Sequence, residues 1–206
     1  MLKRKTWGEV FNDIVIAFEK ELKLNYSRLG KSAKESMRLF IAINFNSEIK
    51  SRLLALLGEL RSHSKRGNFS LPENLHLTLV FLGECDTKQT ASAKASIDIL
   101  NFVPFDLLIE RIGRFERNSG DIWWVGVREN RALLEMQINL TNKLIAAGFE
   151  LDKRKYIPHI TLGREIATDI VPWKIEPFGE TISSIELMKS ERVQGKLTYT
   201  AIHTKK

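Results

Sequence analysis

The sequence predicts an α+β fold in which one half repeats the other. From residue 37 onward, short strand patterns alternate with helix patterns, an order that lets neighbouring strands run antiparallel. A His-apolar-Thr-apolar tetrapeptide also occurs twice, at His76-Leu77-Thr78-Leu79 and His159-Ile160-Thr161-Leu162, and each copy follows a strong helix pattern. The chain has 206 residues, 43% apolar and 28% charged, with only 12 Gly and 5 Pro. Such a composition buries its own core and excludes disordered, collagen-like and low-complexity scaffolds.

The elements follow in order. Residues 1–36 form an extension in which Trp7, Val10, Phe11, Ile14, Val15, Phe18 and Leu22 recur at three- and four-residue spacing, the stripe of an amphipathic helix. Thr6 and Glu9 suit a capping box at its start, and residues 25–36 read as a polar linker. The stripe suits a docking or self-association face better than a membrane anchor. The domain proper is expected at 37–206. Residues 38–45 read as a strand, and 47–61 place Leu53, Leu54, Leu56, Leu57 and Leu60 inward on a helix. A strand is expected over 74–82. Asp86 caps a helix to about residue 101, and 105–112 with 121–127 form a strand pair. Asn130 caps a helix that ends at Gly148. Strands near 159–164, 181–189 and 196–203 complete the chain.

Composition also bounds the setting. Cys85 is the single cysteine, so the chain forms no internal disulfide, which fits a reducing, cytoplasmic setting and excludes a Cys-rich zinc site. No apolar run approaches the roughly 18–20 residues that cross a bilayer. The net charge is +7, from 32 basic and 25 acidic residues. That excess favours an anionic partner such as a nucleotide or RNA.

The two echoes carry the chemistry. Side chains alternate along a strand, so His76 and Thr78 share one face while Leu75, Leu77, Leu79 and Phe81 take the other. His159 and Thr161 do the same, with Ile160 and Leu162 behind them. Two such strands facing one another would present two imidazoles and two hydroxyls to a single bound group, and that set suits a phosphodiester. In-line displacement at phosphorus needs a base on the attacking oxygen and an acid on the leaving one. Histidine serves in either role near neutral pH. Threonine hydroxyls can donate to the non-bridging oxygens, where charge builds up, so neither a metal nor another cofactor is required. A single copy would be ordinary packing. Two matched copies among 4 histidines are harder to explain that way, while His63 and His203 read as solvated.

These motifs and their flanks resemble the two-histidine (2H) phosphoesterases, and among them the RNA 2′,3′-cyclic phosphodiesterases (2′-5′ RNA ligase-like). The resemblance runs from Met37 to about His203. It includes the opening strand from Met37 to Ile43, Pro72 to Leu79 followed by Phe81-Leu82-Gly83-Glu84, and Gly113-Arg114-Phe115. It continues through Trp124 to Val127, Gly148-Phe149, Pro158 to Leu162 with Arg164, and Ser190-Glu191 ahead of Tyr199-Thr200. It implies two pseudo-symmetric lobes of antiparallel sheet with flanking helices around a central cleft, one motif from each lobe. It also implies metal-independent opening of a terminal 2′,3′-cyclic phosphate to a 2′-phosphate, with His76 as proton donor and His159 as proton acceptor. Residues 1–36 are additional to the family pattern, and the stretch from Glu191 to Lys196 is less Pro-rich than the pattern expects.

Further residues are candidates for substrate binding. Arg164 either contacts phosphate or makes a structural ion pair, since strict alternation puts it behind the site unless the strand twists or bulges. Arg154 and Lys155 either steer an RNA strand or form a solvated basic loop. Phe45 and Tyr199 either stack on a base or pack in the core. Trp123 and Trp124 face opposite sides of one strand. The expected partners are RNA ends or small cyclic-phosphate nucleotides, with the protein itself a monomer. Rival readings are cleavage or joining of a 2′-5′ linkage, and a non-catalytic module that binds RNA ends. A zinc site has too few ligands in two histidines.

Overall fold

A continuous apolar run from Leu39 to Ile43 builds the first strand of a computed structural model that describes residues 36–206. The expected helix and linker of the extension, up to residue 35, lie outside the described residues. Nine strands follow in chain order: β1 (Met37–Asn44), β2 (Ser64–Phe69), β3 (His76–Cys85), β4 (Phe105–Phe115), β5 (Asp121–Val127), β6 (His159–Thr168), β7 (Lys174–Ile182), β8 (Ile185–Val193) and β9 (Lys196–Lys205). The described helices are α1 (Ser47–Ser62), α2 (Thr87–Asp98) and α3 (Arg131–Ala146), with a single 3-10 turn at Pro72–Asn74.

All strand pairs are antiparallel, in the order β7-β4-β5-β6-β3-β1-β8-β9, with β2 on the flank of β6. The two central strands meet at one register pair, Leu77 with Ile160. These are the residues that directly follow the two motif histidines. Outward from that pair the chain reads alike in both directions. In β1-α1-β2-β3 and in β5-α3-β6, a strand and a helix precede the motif strand, with β2 and the 3-10 turn added in the first half. Each first strand is then flanked by a further antiparallel pair, β8-β9 or β4-β7.

Local sequence explains the helices. Asn46 and Asn130 each accept a backbone N–H from the third residue on, Ile49 and Leu133, at 2.9 Å, while Asp86 forms a reciprocal capping box with Gln89. Helix α3 buries Leu133, Met136, Leu140 and Leu144, the i, i+3, i+4 stripe of a helix laid on a sheet. It ends where Gly148, with φ of +91°, takes a left-handed conformation that lets its N–H and that of Phe149 turn back to the carbonyls of Ile145 and Leu144.

Two elements differ from expectation. The strand expected over 181–189 is the end of β7 and most of β8, separated at Ser183-Ser184. Strand β7 carries Pro177 and Gly179 and pairs only with β4, so it tolerates residues that a central strand would reject. Strand β2, with the sequence SKRGNF, has no apolar alternation because it too lies on a flank, paired only with β6. The main core lies on one face of the sheet under the helices, with Trp123 fully buried in it. A second, small cluster of Phe40, Ala42 and Met188, with Tyr199 against it, lies apart from that core. Among the described residues no helix is long and apolar enough to cross a membrane.

Candidate active site

Strand alternation delivers the two histidines as the sequence implies. Leu77 and Leu79 are buried on the core face of β3, and Ile160 and Leu162 on that of β6, leaving the His and Thr side chains half-buried on the opposite face. Each imidazole is then fixed in the same way. His76 Nδ1 lies 2.7 Å from the carbonyl of Asn74, and His159 Nδ1 lies 2.7 Å from the carbonyl of Ile157. A carbonyl can only accept, so both Nδ1 atoms carry a proton and both Nε2 atoms are left for chemistry. The 3-10 turn places the Asn74 carbonyl, and Asn74 Nδ2 donates to the Leu197 carbonyl at 2.8 Å, which ties this turn to β9. His76 Nε2 is 2.9 Å from Thr78 Oγ1, so imidazole and hydroxyl of the first motif act as one unit.

Burial is the main reason that both imidazoles are held below the ordinary histidine range. The hydrogen bonds to Asn74 and Ile157 oppose that depression. Lys50, from the second turn of α1, together with His159 and Arg164, lowers His76 further, and Arg164 also lowers His159. The two imidazoles and Arg164 therefore share one electrostatic environment.

Aromatic rings wall this space on both sides. The Phe40 and Tyr199 rings lie 4.9 and 5.2 Å from His76, and Phe115 and Trp124 lie 5.1 and 6.2 Å from His159. Of the tryptophan pair, Trp123 is the core residue and Trp124 the one beside the histidine. Trp124 lies against two glycines: a Cβ on Gly113 would stand 2.2 Å from its Cη2, and one on Gly126 would stand 2.8 Å from its Cζ3. Gly113→Ala is therefore expected to displace the indole or the strand, costing about 1–3 kcal/mol as overpacking. The corresponding fall in melting temperature, about 2–4 °C per kcal/mol at this size, is checked by a thermal melt. An unchanged melting temperature would mean that the indole yields freely.

Arg164 is where strict alternation misleads. On β5, Trp124 pairs with Thr161 and Trp123 with Gly163, so Leu162 is an extra residue in β6 and both Leu162 and Gly163 face the core. The bulge returns Arg164 to the histidine face. Strand β3 has the same irregularity, because Ala42 pairs with Thr78 and Ile41 with Val80, which leaves Leu79 unpaired. There Phe81 is the residue re-aimed. It is 64% exposed, 6.0 Å from the Phe40 ring, and equivalent by motif position to Arg164.

Three expectations need correction. Phe45 lies beyond β1 and is buried in the main core, so it offers no stacking surface. The guanidinium of Arg154 is taken up by Asp152, which holds that carboxyl down at about 2, so Arg154 is no open cation; Lys155 beside it is exposed. His203 is not simply solvated, because its Nε2 is 2.7 Å from Asp98, joining β9 to α2.

Tyr156 has no signal in the sequence. Its buried hydroxyl donates to the Thr78 carbonyl at 3.1 Å, linking the approach to the second motif with the first, and burial raises its pKa. Phe40 could have been found from period two alone, but its neighbourhood to His76 depends on the β1–β3 register. Among the described residues, no three His, Cys, Asp or Glu side chains gather as a metal site would require.

Comparison with known proteins agrees with this architecture. Residues 43–124 match the family model described as LigT like Phosphoesterase. The RNA 2′,3′-cyclic phosphodiesterase of Archaeoglobus fulgidus is 33% identical over 151 residues, 70% of this chain and 85% of that protein. Its Thermotoga maritima counterpart is 33% identical over 131 residues, 62% of this chain and 70% of that protein. The crystal structure of Escherichia coli LigT complexed with 3′-AMP superposes with a TM-score of 0.73 at 25% identity, covering 83% of this chain and 98% of that one. With that identity sustained over most of the archaeal relative and this fold in common, the chain belongs to the LigT-like phosphoesterase family.

Proposed function

We propose that this protein is an RNA 2′,3′-cyclic phosphodiesterase that opens terminal cyclic phosphates to 2′-phosphomonoesters without metal. The reading rests above all on the matched anchoring of His76 and His159, each with Nδ1–H tied to a carbonyl two residues upstream, which leaves Nε2 as the nitrogen for chemistry. The two halves of the sheet serve as lobes around a cleft, one motif from each. His159 Nε2 takes a proton from water as the water oxygen bonds to phosphorus. The P–O3′ bond breaks on the opposite side, and His76 Nε2–H gives its proton to the departing O3′, leaving a 3′-hydroxyl and a 2′-phosphate. Thr78, Thr161 and Arg164 hold the non-bridging oxygens, where their hydrogen bonds strengthen as charge develops. Tyr199 and exposed Phe81 offer faces to the terminal base. The relatives' names and the nucleotide in the Escherichia coli complex support this substrate class.

The test is incubation with RNA ending in a 2′,3′-cyclic phosphate, with chelator present, and identification of the product end. A 2′-phosphate is expected; a 3′-phosphate, no turnover, or a strict metal requirement would overturn the reading. The pH profile follows from the lowered histidines. The productive form has one neutral and one protonated imidazole, and both free-enzyme values lie below about 6.5. The bell in kcat/KM should therefore peak below pH 6.5. The bell in kcat should lie higher, because a bound anion favours the imidazolium. Coincident bells centred above 7 would contradict the electrostatics described for the free site.

A further inference from the structure

One register row that ends at Tyr199, whose ring borders His76, collects the groups of a second anion site. Across β9, β8 and β1, Tyr199 pairs with Ser190 and Ser190 with Arg38, so the three side chains stand side by side on one face. It is the face of Phe40, two residues further along β1, whose ring borders both His76 and Tyr199. Serine is short, so arginine and tyrosine can reach toward one another over it.

Arg38 and Arg164 stand out by what they lack. Other described arginines lie over an aromatic ring as Arg52 does, donate to a backbone carbonyl as Arg192 does, or pair with a carboxylate as Arg128 does. Among the described residues, neither Arg38 nor Arg164 has a carboxylate within ion-pair distance. Glu84, the register partner of Arg38 on β3, instead accepts from the Ser36 hydroxyl at 3.4 Å. Burial raises the Tyr199 hydroxyl, while Arg164 and Arg38 both act to lower it, so both charges are felt at this tyrosine. Two cations near one hydroxyl, with no counter-ion among the described residues, favour the arrival of an anion.

We propose that Arg38, with Ser190 and Tyr199, binds the phosphodiester immediately upstream of the terminal cyclic phosphate, so that the enzyme reads an RNA strand end rather than a mononucleotide. The inference rests on the function proposed above and names its substrate more narrowly. Arg38 lies about 6–7 Å of strand beyond Phe40. The Phe40 and Tyr199 rings border His76, so Arg38 stands one step further out than Phe40, on the side where the strand would continue, with the exposed Phe81 opposite Phe40 to take the intervening base.

The experiment compares adenosine 2′,3′-cyclic phosphate with the dinucleotide ApA ending in a 2′,3′-cyclic phosphate, and with the same dinucleotide carrying a neutral methylphosphonate at its internal linkage. The wild type is expected to favour the charged dinucleotide over the mononucleotide by about tenfold in kcat/KM, mostly through KM. The methylphosphonate should remove that advantage. In Arg38→Gln the ratio should fall to about one, and the methylphosphonate should cost nothing further; Arg38→Lys should restore part of the ratio. The salt dependence of dinucleotide binding should lose roughly one phosphate contact. A ratio unmoved by Arg38→Gln, or a methylphosphonate penalty equal in wild type and variant, overturns the inference and leaves the hydrolase reading standing. A wild type that turns over neither cyclic phosphate defeats the hydrolase reading, and this inference with it.

Discussion

Replacing either His76 or His159 with alanine is expected to lower kcat on a cyclic-phosphate RNA end by about 10²- to 10⁴-fold, while the protein stays folded. Each imidazole is half-buried at the start of its strand, and its packing neighbours are aromatic rings that lose little support when it is truncated. The chemistry has no second group to lend, because Nδ1 of each ring is already committed to a carbonyl. The double variant should cost less than the product of the single losses, since acid and base serve one displacement. Single-turnover rates on purified substrate, with a thermal melt as the folding control, decide it. Near wild-type turnover in either variant would remove that histidine from the mechanism.

Arg164→Gln should cost about 10²-fold in kcat/KM, the loss that follows removal of one preorganised donor to developing negative charge. It carries a second signature that a merely structural arginine would lack. Arg164 depresses both histidines, so its removal should raise both toward their ordinary value, and the acidic limb of kcat/KM should move to higher pH. Arg164→Lys keeps the charge and should keep the depressed titrations, while recovering only part of the rate because an ammonium cannot grip two oxygens as a planar fork does. NMR titration of the two imidazoles separates the cases. Unshifted titrations in Arg164→Gln would mean that the guanidinium does not face the site.

Much of this was legible in the chain. The helix starts at Asp86 and Asn130 follow from side-chain caps acting over three residues, the helix from Ser47 from its apolar residues, and period-two alternation placed His76 with Thr78 and His159 with Thr161 on one face. These are local relations. Strands β2 and β7 were not legible, because a flank strand needs no apolar alternation and tolerates Pro177 and Gly179.

The sequence by itself determined which residue types lie two apart on the motif strands, where two of the helices begin, and that the His-apolar-Thr-apolar pattern occurs twice in one chain. Tertiary structure alone decided what those residues meet. The bulges at Leu79 and Leu162 arise from pairing with β1 and β5, and they turn Phe81 and Arg164 to the histidine face against simple alternation. The same applies to Phe45, which went to the core, and to Arg154, which was claimed by Asp152. Apolarity and charge state what a side chain needs, but the neighbour that meets the need depends on register between segments far apart in the chain. A one-residue change in that register exchanges the two faces of a strand.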